Sequence, residues 1–206
     1  MKLGVLGGTF DPIHLGHLMI AEEARCQLGL ERVLLVPTGV PWLRGGEALS
    51  PGRHRLAMAR LAVEGDPHLE VSALEVERPG NTYTVDTLEE LHRRLGPEAT
   101  LYFILGMDAL NHLSSWREPR RVLELCHLVV VDRPGYQEDP GMLDELSPGA
   151  AQRAIRLALP LIGISAQEIR RRVAQGLSIR YWVPQAVEEY IYEHRLYAQP
   201  ETAREG

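Results

Sequence analysis

Five short apolar runs punctuate the first 132 residues: "KLGVL" (2–6), "RVLLVP" (32–37), "LEVSA" (69–73), "TLYFILG" (100–106) and "HLVVVD" (127–132). Each has strand length and is rich in Val and Leu or in aromatic residues, and most are apolar almost throughout, as strands buried on both faces are. Segments of helical period separate them. From Gly16 to Leu28, the residues His17, Ala21, Ala24 and Leu28 share one stripe. Ser50-Pro51, with Pro at the first helical position, starts a helix through "RHRLAMARLAV", another is expected over 84–95, and "EPRRVLELC" precedes the fifth run. Strand and helix in alternation specify an α/β fold, a Rossmann-like open parallel sheet with helices on both faces. A helical C-terminal segment follows, in which Val183, Val187, Tyr190, Ile191 and His194 share a face. The Pro/Gly-rich acidic stretch after Arg133 reads as an irregular excursion, and a further apolar run, "LPLIGI", ends at Ile164. The expected organisation is one domain over 1–206. It comprises a βαβ nucleotide-binding core at 1–134, the excursion at 135–160, and a C-terminal phosphate-binding helical segment at 161–197.

At 206 residues, 45% hydrophobic and 24% charged, the chain is long and apolar enough to bury a full core. No run of 18 apolar residues is present, and "MKLGVLGG" lacks the form of a leader, so a cytoplasmic location is expected. Cys26 and Cys126 form no paired motif and are expected as buried free thiols. A net charge of −6 argues against a broad nucleic-acid-binding face. Lysine occurs once, at Lys2, among 22 basic residues. Schiff-base chemistry and a Walker A loop are thereby excluded. Any phosphate clamp must come from Arg, His and backbone N–H groups.

The stretch "GGTFDPIHLGH" (7–17) follows the first run directly. His14 and His17 lack a third ligand at helical spacing, so a zinc site is not expected. His17 shares its stripe with Ala21 and Ala24, which suits a core histidine. Gly7 and Gly8, however, permit close approach of a ligand to the backbone. The helix beginning near Gly16 offers N–H groups to an anion, at the strand end where open α/β sheets bind ligands. The dinucleotide spacing GxGxxG is absent. Glycines, histidines and location together favour a phosphate cradle.

"GGTFDPIHLGH" resembles the signature of the nucleotidylyltransferase superfamily, whose H-x-G-H element also occurs in class I aminoacyl-tRNA synthetases. Four more stretches, "RPGNTYTVDTL" (78–88), "FILGMDALNHLSSW" (103–116), "VVVDRPG" (129–135) and "ISAQEIRRRVAQGLSIRYWVP" (164–184), resemble the bacterial nicotinate-mononucleotide adenylyltransferases. The ending "VEEYIYEHRLY" is similar too, so the likeness covers nearly the whole chain in family order. Two departures stand out. In "PWLRGG", Arg44 keeps a cation but Leu43 replaces a common histidine, and Ala166-Gln167 stand where Ser-Thr is frequent.

The resemblance implies joining of nicotinate mononucleotide to the AMP part of ATP, giving deamido-NAD and pyrophosphate. A phosphate monoester, with a second pKa of about 6, is largely dianionic near neutrality and needs no general base. Alignment and charge neutralisation suffice. On this resemblance His14, His17 and Arg170 are catalytic. Gly7, Gly8, Thr9, Phe10, Gly106, Asp108, Arg133, Ile164 and Ser165 bind ATP. Arg44, Thr84, Trp116 and Arg117 bind the mononucleotide, with Trp116 stacking on the pyridine and backbone near Thr84 and Arg117 meeting its carboxylate. Ser165-x-x-Glu168 also has the form of a capping box, and Asp108 that of a helix N-cap. Asp11 is expected to shape the turn with Pro12. Magnesium is expected on the ATP phosphates and no metal is expected on protein ligands alone. The implied partners are ATP and nicotinate mononucleotide, not nucleic acid or membrane, and the sequence sets no oligomeric state. The alternatives are another superfamily nucleotidylyltransferase, acting on the amide mononucleotide or phosphopantetheine, and an ATP-binding regulator without turnover.

Overall fold

The protein is described from a computed structural model covering residues 1–41, 49–131, 142–159 and 163–198. Along the chain come β1 (Lys2–Gly8), α1 (Leu15–Leu28), β2 (Arg32–Pro37), β3 (Val40–Pro41), α2 (Gly52–Ala62), β4 (Leu69–Val71) and β5 (Asn81–Thr82). They are followed by α3 (Thr84–Leu95), β6 (Thr100–Gly106), α4 (Met107–Leu110), α5 (Pro119–Leu125) and β7 (His127–Val131). The described chain closes with α6 (Met142–Leu146), α7 (Ala150–Arg153), β8 (Ile155–Leu157), α8 (Ala166–Ala174) and α9 (Gln185–Glu193).

Six strands pair in parallel in the order β4-β2-β1-β6-β7-β8. Val5 of β1 aligns with Leu34 of β2 on one side and Phe103 of β6 on the other. The chain therefore builds outward from β1 in one direction, then crosses to β6 and builds outward in the other. That reversal opens a crevice beyond the carboxyl ends of β1 and β6. Helices cover both faces, which explains the unbroken apolar runs. On one face α1, α2, α8 and α9 contribute Ala21, Ala24, Met58, Ile169, Val187 and Ile191 to one core. On the other, α3, α5 and α6 pack Leu88, Leu91, Val122 and Leu143 into a second. No helix of the described residues is long and apolar enough to cross a membrane.

Several expectations are corrected. Part of the expected excursion is regular: α6 and α7 form, and β8 joins the sheet beside β7. Arg156 interrupts the apolar character of this three-residue edge strand, so its sequence gives little strand signal. Residues 132–141 lie outside the described residues. Pro51 is the N-cap of α2, one position earlier than expected. Cys26 is exposed, its thiol donating to Glu22 Oε1 at 3.2 Å, rather than buried. Cys126 is half-buried, and burial pushes its thiol up to about 12. The pair β3 and β5, two residues each, was not expected.

α9 is fixed on α2 partly through His54, whose Nδ1 lies 2.9 Å from the Tyr190 hydroxyl. Burial, then the charges of Arg53 and His194, hold its imidazole below the usual value. Neutral His54 is thus favoured by folding, so its contribution is complete above the unfolded pKa near 6.5 and is lost as pH falls through the lower folded value. Thermal melts between pH 7.5 and 5 are expected to show this loss. His54→Gln should flatten the slope, and an unchanged slope would exclude His54 as its source.

Candidate active site

The first strand delivers Gly7 and Gly8 to the crevice, and the chain then turns sharply through Thr9–Pro12 into α1. Phe10 adopts a left-handed backbone (φ 48) that sends its ring into the core, 1% exposed. Gly8 leaves room for that ring, since a Cβ there would sit 3.0 Å from it. The Phe10 ring meets His17 edge-on at 4.9 Å, and the His14 and His17 rings stack at 3.7 Å. His14 is the N-cap of α1, and its backbone N–H donates to Nδ1 of His17 at 3.2 Å. An acceptor at Nδ1 places the proton of a neutral imidazole on Nε2. His17 thus caps the helix on its near edge and carries its ring N–H on the far edge.

The C-terminal segment closes over this turn. The Arg170 guanidinium donates to the Asp11 carbonyl at 2.7 Å, and Leu15 N–H donates to the Trp182 carbonyl at 3.0 Å. A Cβ on Gly16 would lie 3.1 Å from the His14 ring and 3.9 Å from the Ile164 carbonyl, so Gly16 lets these parts approach. Ser165 caps α8, its Oγ accepting from the Glu168 N–H at 3.2 Å. The Glu168 carboxylate forks with Arg171 at 2.7 and 2.6 Å.

Across the crevice, Gly106 ends β6. It, not Asp108, is the N-cap of α4; Asp108 occupies the second helical position, exposed, with Oδ1 3.2 Å from where a Gly106 Cβ would stand. Phe103 links the two halves of the site. Its ring is 3.5 Å from the Cβ position of Gly7 and packs edge-on with Trp116 at 5.9 Å. Trp116 is half-buried and its Nε1 is buried with no partner among the described residues. Beside it, Arg117 lies over the Tyr83 ring at 4.9 Å and pairs with Asp86 at 3.3 Å. Thr84 is the first residue of α3. Arg44 and Arg133 lie outside the described residues, as does Leu43.

The chain matches the model of a known family. The model for the family described as cytidylyltransferase-like matches residues 5–172. A probable nicotinate-nucleotide adenylyltransferase of Roseiflexus sp. (strain RS-1) is 51% identical over 195 residues, covering 95% of this chain and 97% of that protein. The similarly named protein of Thermomicrobium roseum is 48% identical, over 95% of this chain and 91% of its own.

The chain belongs to the nicotinate-nucleotide adenylyltransferase family.

The same fold is seen in the Plasmodium falciparum nicotinic acid mononucleotide adenylyltransferase complexed with NaAD, with a TM-score of 0.77 at 21% identity over 95% of this chain and 97% of that one. This adenylyltransferase-family chain also carries supporting residues that its sequence motifs do not announce. Arg55 of α2, 2% exposed, donates to four carbonyls: Ser50 at 2.9 Å, Thr9 at 2.8 Å, Thr38 at 2.6 Å and Gly39 at 3.0 Å. Burial lowers its pKa while nearby Asp11 opposes the shift; a guanidinium remains charged there. The signal was an arginine on the same stripe as Met58 and Ala59. Glu75, 9% exposed, accepts from the Thr87 hydroxyl at 2.8 Å, and burial raises its carboxyl above the usual range. A side chain on Gly39 would collide with the Glu75 carbonyl.

Arg55→Met strips four carbonyls of their donor and removes a buried positive charge that interacts with buried Asp11. A loss of about 3–5 kcal/mol is expected, as when one partner of a buried ionic group is removed, measured from urea unfolding midpoints. A loss under about 1 kcal/mol would mean the carbonyls find other donors.

Proposed function

We propose that this chain transfers the adenylyl group of ATP to nicotinate mononucleotide, releasing pyrophosphate and forming deamido-NAD, in the cytoplasmic synthesis of NAD. The observation that carries the proposal is the meeting of two differently equipped walls at the β1/β6 crevice. One wall has an imidazole N–H, a helix N-terminus and a guanidinium. The other has a half-buried indole beside the start of α3.

The first wall suits ATP. The mononucleotide phosphate attacks the α-phosphorus, and the bond to the bridging oxygen of pyrophosphate breaks. His17 donates from Nε2 to the phosphate oxygens as charge develops, supported by the stacked His14. Gly7, Gly8, Thr9 and Phe10 supply the backbone turn. Arg170 neutralises the leaving pyrophosphate. Ile164 and Ser165 close over the nucleotide, and Asp108 beside Gly106 is suited to accept from a ribose hydroxyl. Arg133 takes its adenosine-side role, and Arg44 its mononucleotide-side role, from the family pattern alone. Ser165 combines a cap with its binding role.

The second wall suits the pyridine nucleotide. Trp116 presents an aromatic face, and N–H groups around Thr84 and Arg117 meet the nicotinate carboxylate. The Arg117 side chain is already engaged by Asp86 and Tyr83, so its backbone is the part left for this work. Magnesium fits this donor set as a passenger on the triphosphate. The cradle offers N–H groups, and both carboxylate oxygens of Asp11 already accept hydrogen bonds, from Tyr197 and Ser50. Bound there, the cation would add positive charge to the phosphates.

Pyrophosphate release with ATP and magnesium, run with the nicotinate and nicotinamide mononucleotides side by side, tests the reading. A strong preference for the acid is expected, and equal rates would remove the carboxylate assignment. CTP in place of ATP is expected to give little product; efficient use of CTP would move the chain toward the cytidylyl branch of its family.

His17→Ala should lower turnover by about 10²–10³-fold, the scale for one preorganised donor. It should cost only about 0.5–2 kcal/mol of stability through the lost cap. A stability loss with turnover kept within a few-fold would leave His17 as a cap alone. Trp116→Ala should raise KM for the mononucleotide well beyond KM for ATP, and equal rises would take the indole out of the pyridine site.

A further inference from the structure

Asp11 lies at the centre of the phosphate-side turn, 1% exposed, and three segments distant in sequence meet on it. Its backbone carbonyl receives Arg170 at 2.7 Å. Its carboxylate receives the Ser50 N–H on Oδ2 at 3.1 Å and the Tyr197 hydroxyl on Oδ1 at 2.6 Å. Tyr197 reaches it because the chain beyond α9 turns back through left-handed conformations at Arg195 (φ 50) and Tyr197 (φ 63). Leu196 and Tyr197 then pack on the same core as α1 and α8. Left-handed backbone at two non-glycine residues is costly and persists where the surroundings hold it. Burial and the Asp11 carboxylate push the Tyr197 phenol above its usual value, so it remains a donor.

We propose that Tyr197 is a positioning residue for adenylyl transfer: acting through Asp11, it fixes the carbonyl on which the Arg170 guanidinium rests. This rests on the reading of Arg170 as the pyrophosphate-side cation. Removing the Tyr197 hydroxyl leaves the Asp11 carboxylate one donor short at the crowded end of the turn. The turn then relaxes, and Arg170 loses the support that aims it. Tyr197 does not itself touch substrate.

A double-mutant cycle on the full chain separates this from general support of the fold. Tyr197→Phe is expected to lower kcat/KM for ATP roughly ten-fold, within the span of couplings between linked residues. KM for nicotinate mononucleotide should stay within about two-fold, because its wall is built from other segments. Arg170→Ala should lower kcat/KM for ATP by about 10²-fold or more. Adding Tyr197→Phe to Arg170→Ala should cost almost nothing further, since the residue through which Tyr197 acts has gone. Calorimetric titration with a non-hydrolysable ATP analogue should show the same non-additivity without turnover. Leu196→Ala, which loosens the same tail without touching Asp11, should lower the melting temperature but spare the ATP parameters.

Multiplicative losses in the double variant would overturn the proposal. So would an ATP defect in Leu196→Ala equal to that of Tyr197→Phe, or a Tyr197→Phe enzyme that matches the wild type. In that last case an Arg170→Ala defect would leave the reading of the site standing. An Arg170→Ala enzyme with unchanged ATP parameters would overturn both the proposal and that role of Arg170.

Discussion

Four backbone carbonyls from three separate loops converge on one side chain, the Arg55 guanidinium. Loops at the carboxyl end of a parallel sheet are free of the ladder and have no regular partners for their polar groups. Here they turn inward, and a planar five-donor group satisfies them together. The turn after β1, the turn after β2 and the entry to α2 are held as one rigid piece. Lysine, with its compact ammonium, has no such fork. A site that must hold reacting phosphates within tenths of an ångström depends on this fixity more than on any residue that touches substrate.

The sheet divides the labour. Its β1/β6 reversal brings together loops whose helices cover opposite faces. The cation-bearing segments α1 and α8 lie over one core and the aromatic segments around α3 and Trp116 over the other. Phe103 is the bridge, touching the Gly7 position from one side and Trp116 from the other.

What the sequence made legible follows from the range of the forces involved. β1, β2, β6 and α3 were readable to the residue or nearly so, because burial on both faces or one writes a local periodicity. β8 was not readable: a three-residue edge strand owes its existence to β7 beside it, not to its own composition. The glycines and histidines of the opening loop mark it as a candidate site, but the reason for Gly8 is not legible there. It yields space to Phe10, whose ring direction depends on a backbone angle that no pattern announces. Asp11 reads in the sequence as a turn former, while its partners Ser50, Arg170 and Tyr197 lie 39, 159 and 186 positions away. Contacts of that span leave no periodic trace. Arg55 left a faint one, as a charge on an apolar stripe.

The tie between Asp11 and Tyr197 has a consequence for the order of events in synthesis. The phosphate-side turn emerges from the ribosome among the first residues of this chain, but the groups that complete it, Arg170 and Tyr197, follow 159 and 186 residues later. A nascent chain can pair β1 with β2 and bury much of one core while the turn after β1 still lacks its C-terminal partners. Completion of this corner is therefore a late event of biogenesis, because Asp11 has its full set of partners only once α8 and the segment beyond α9 are in place.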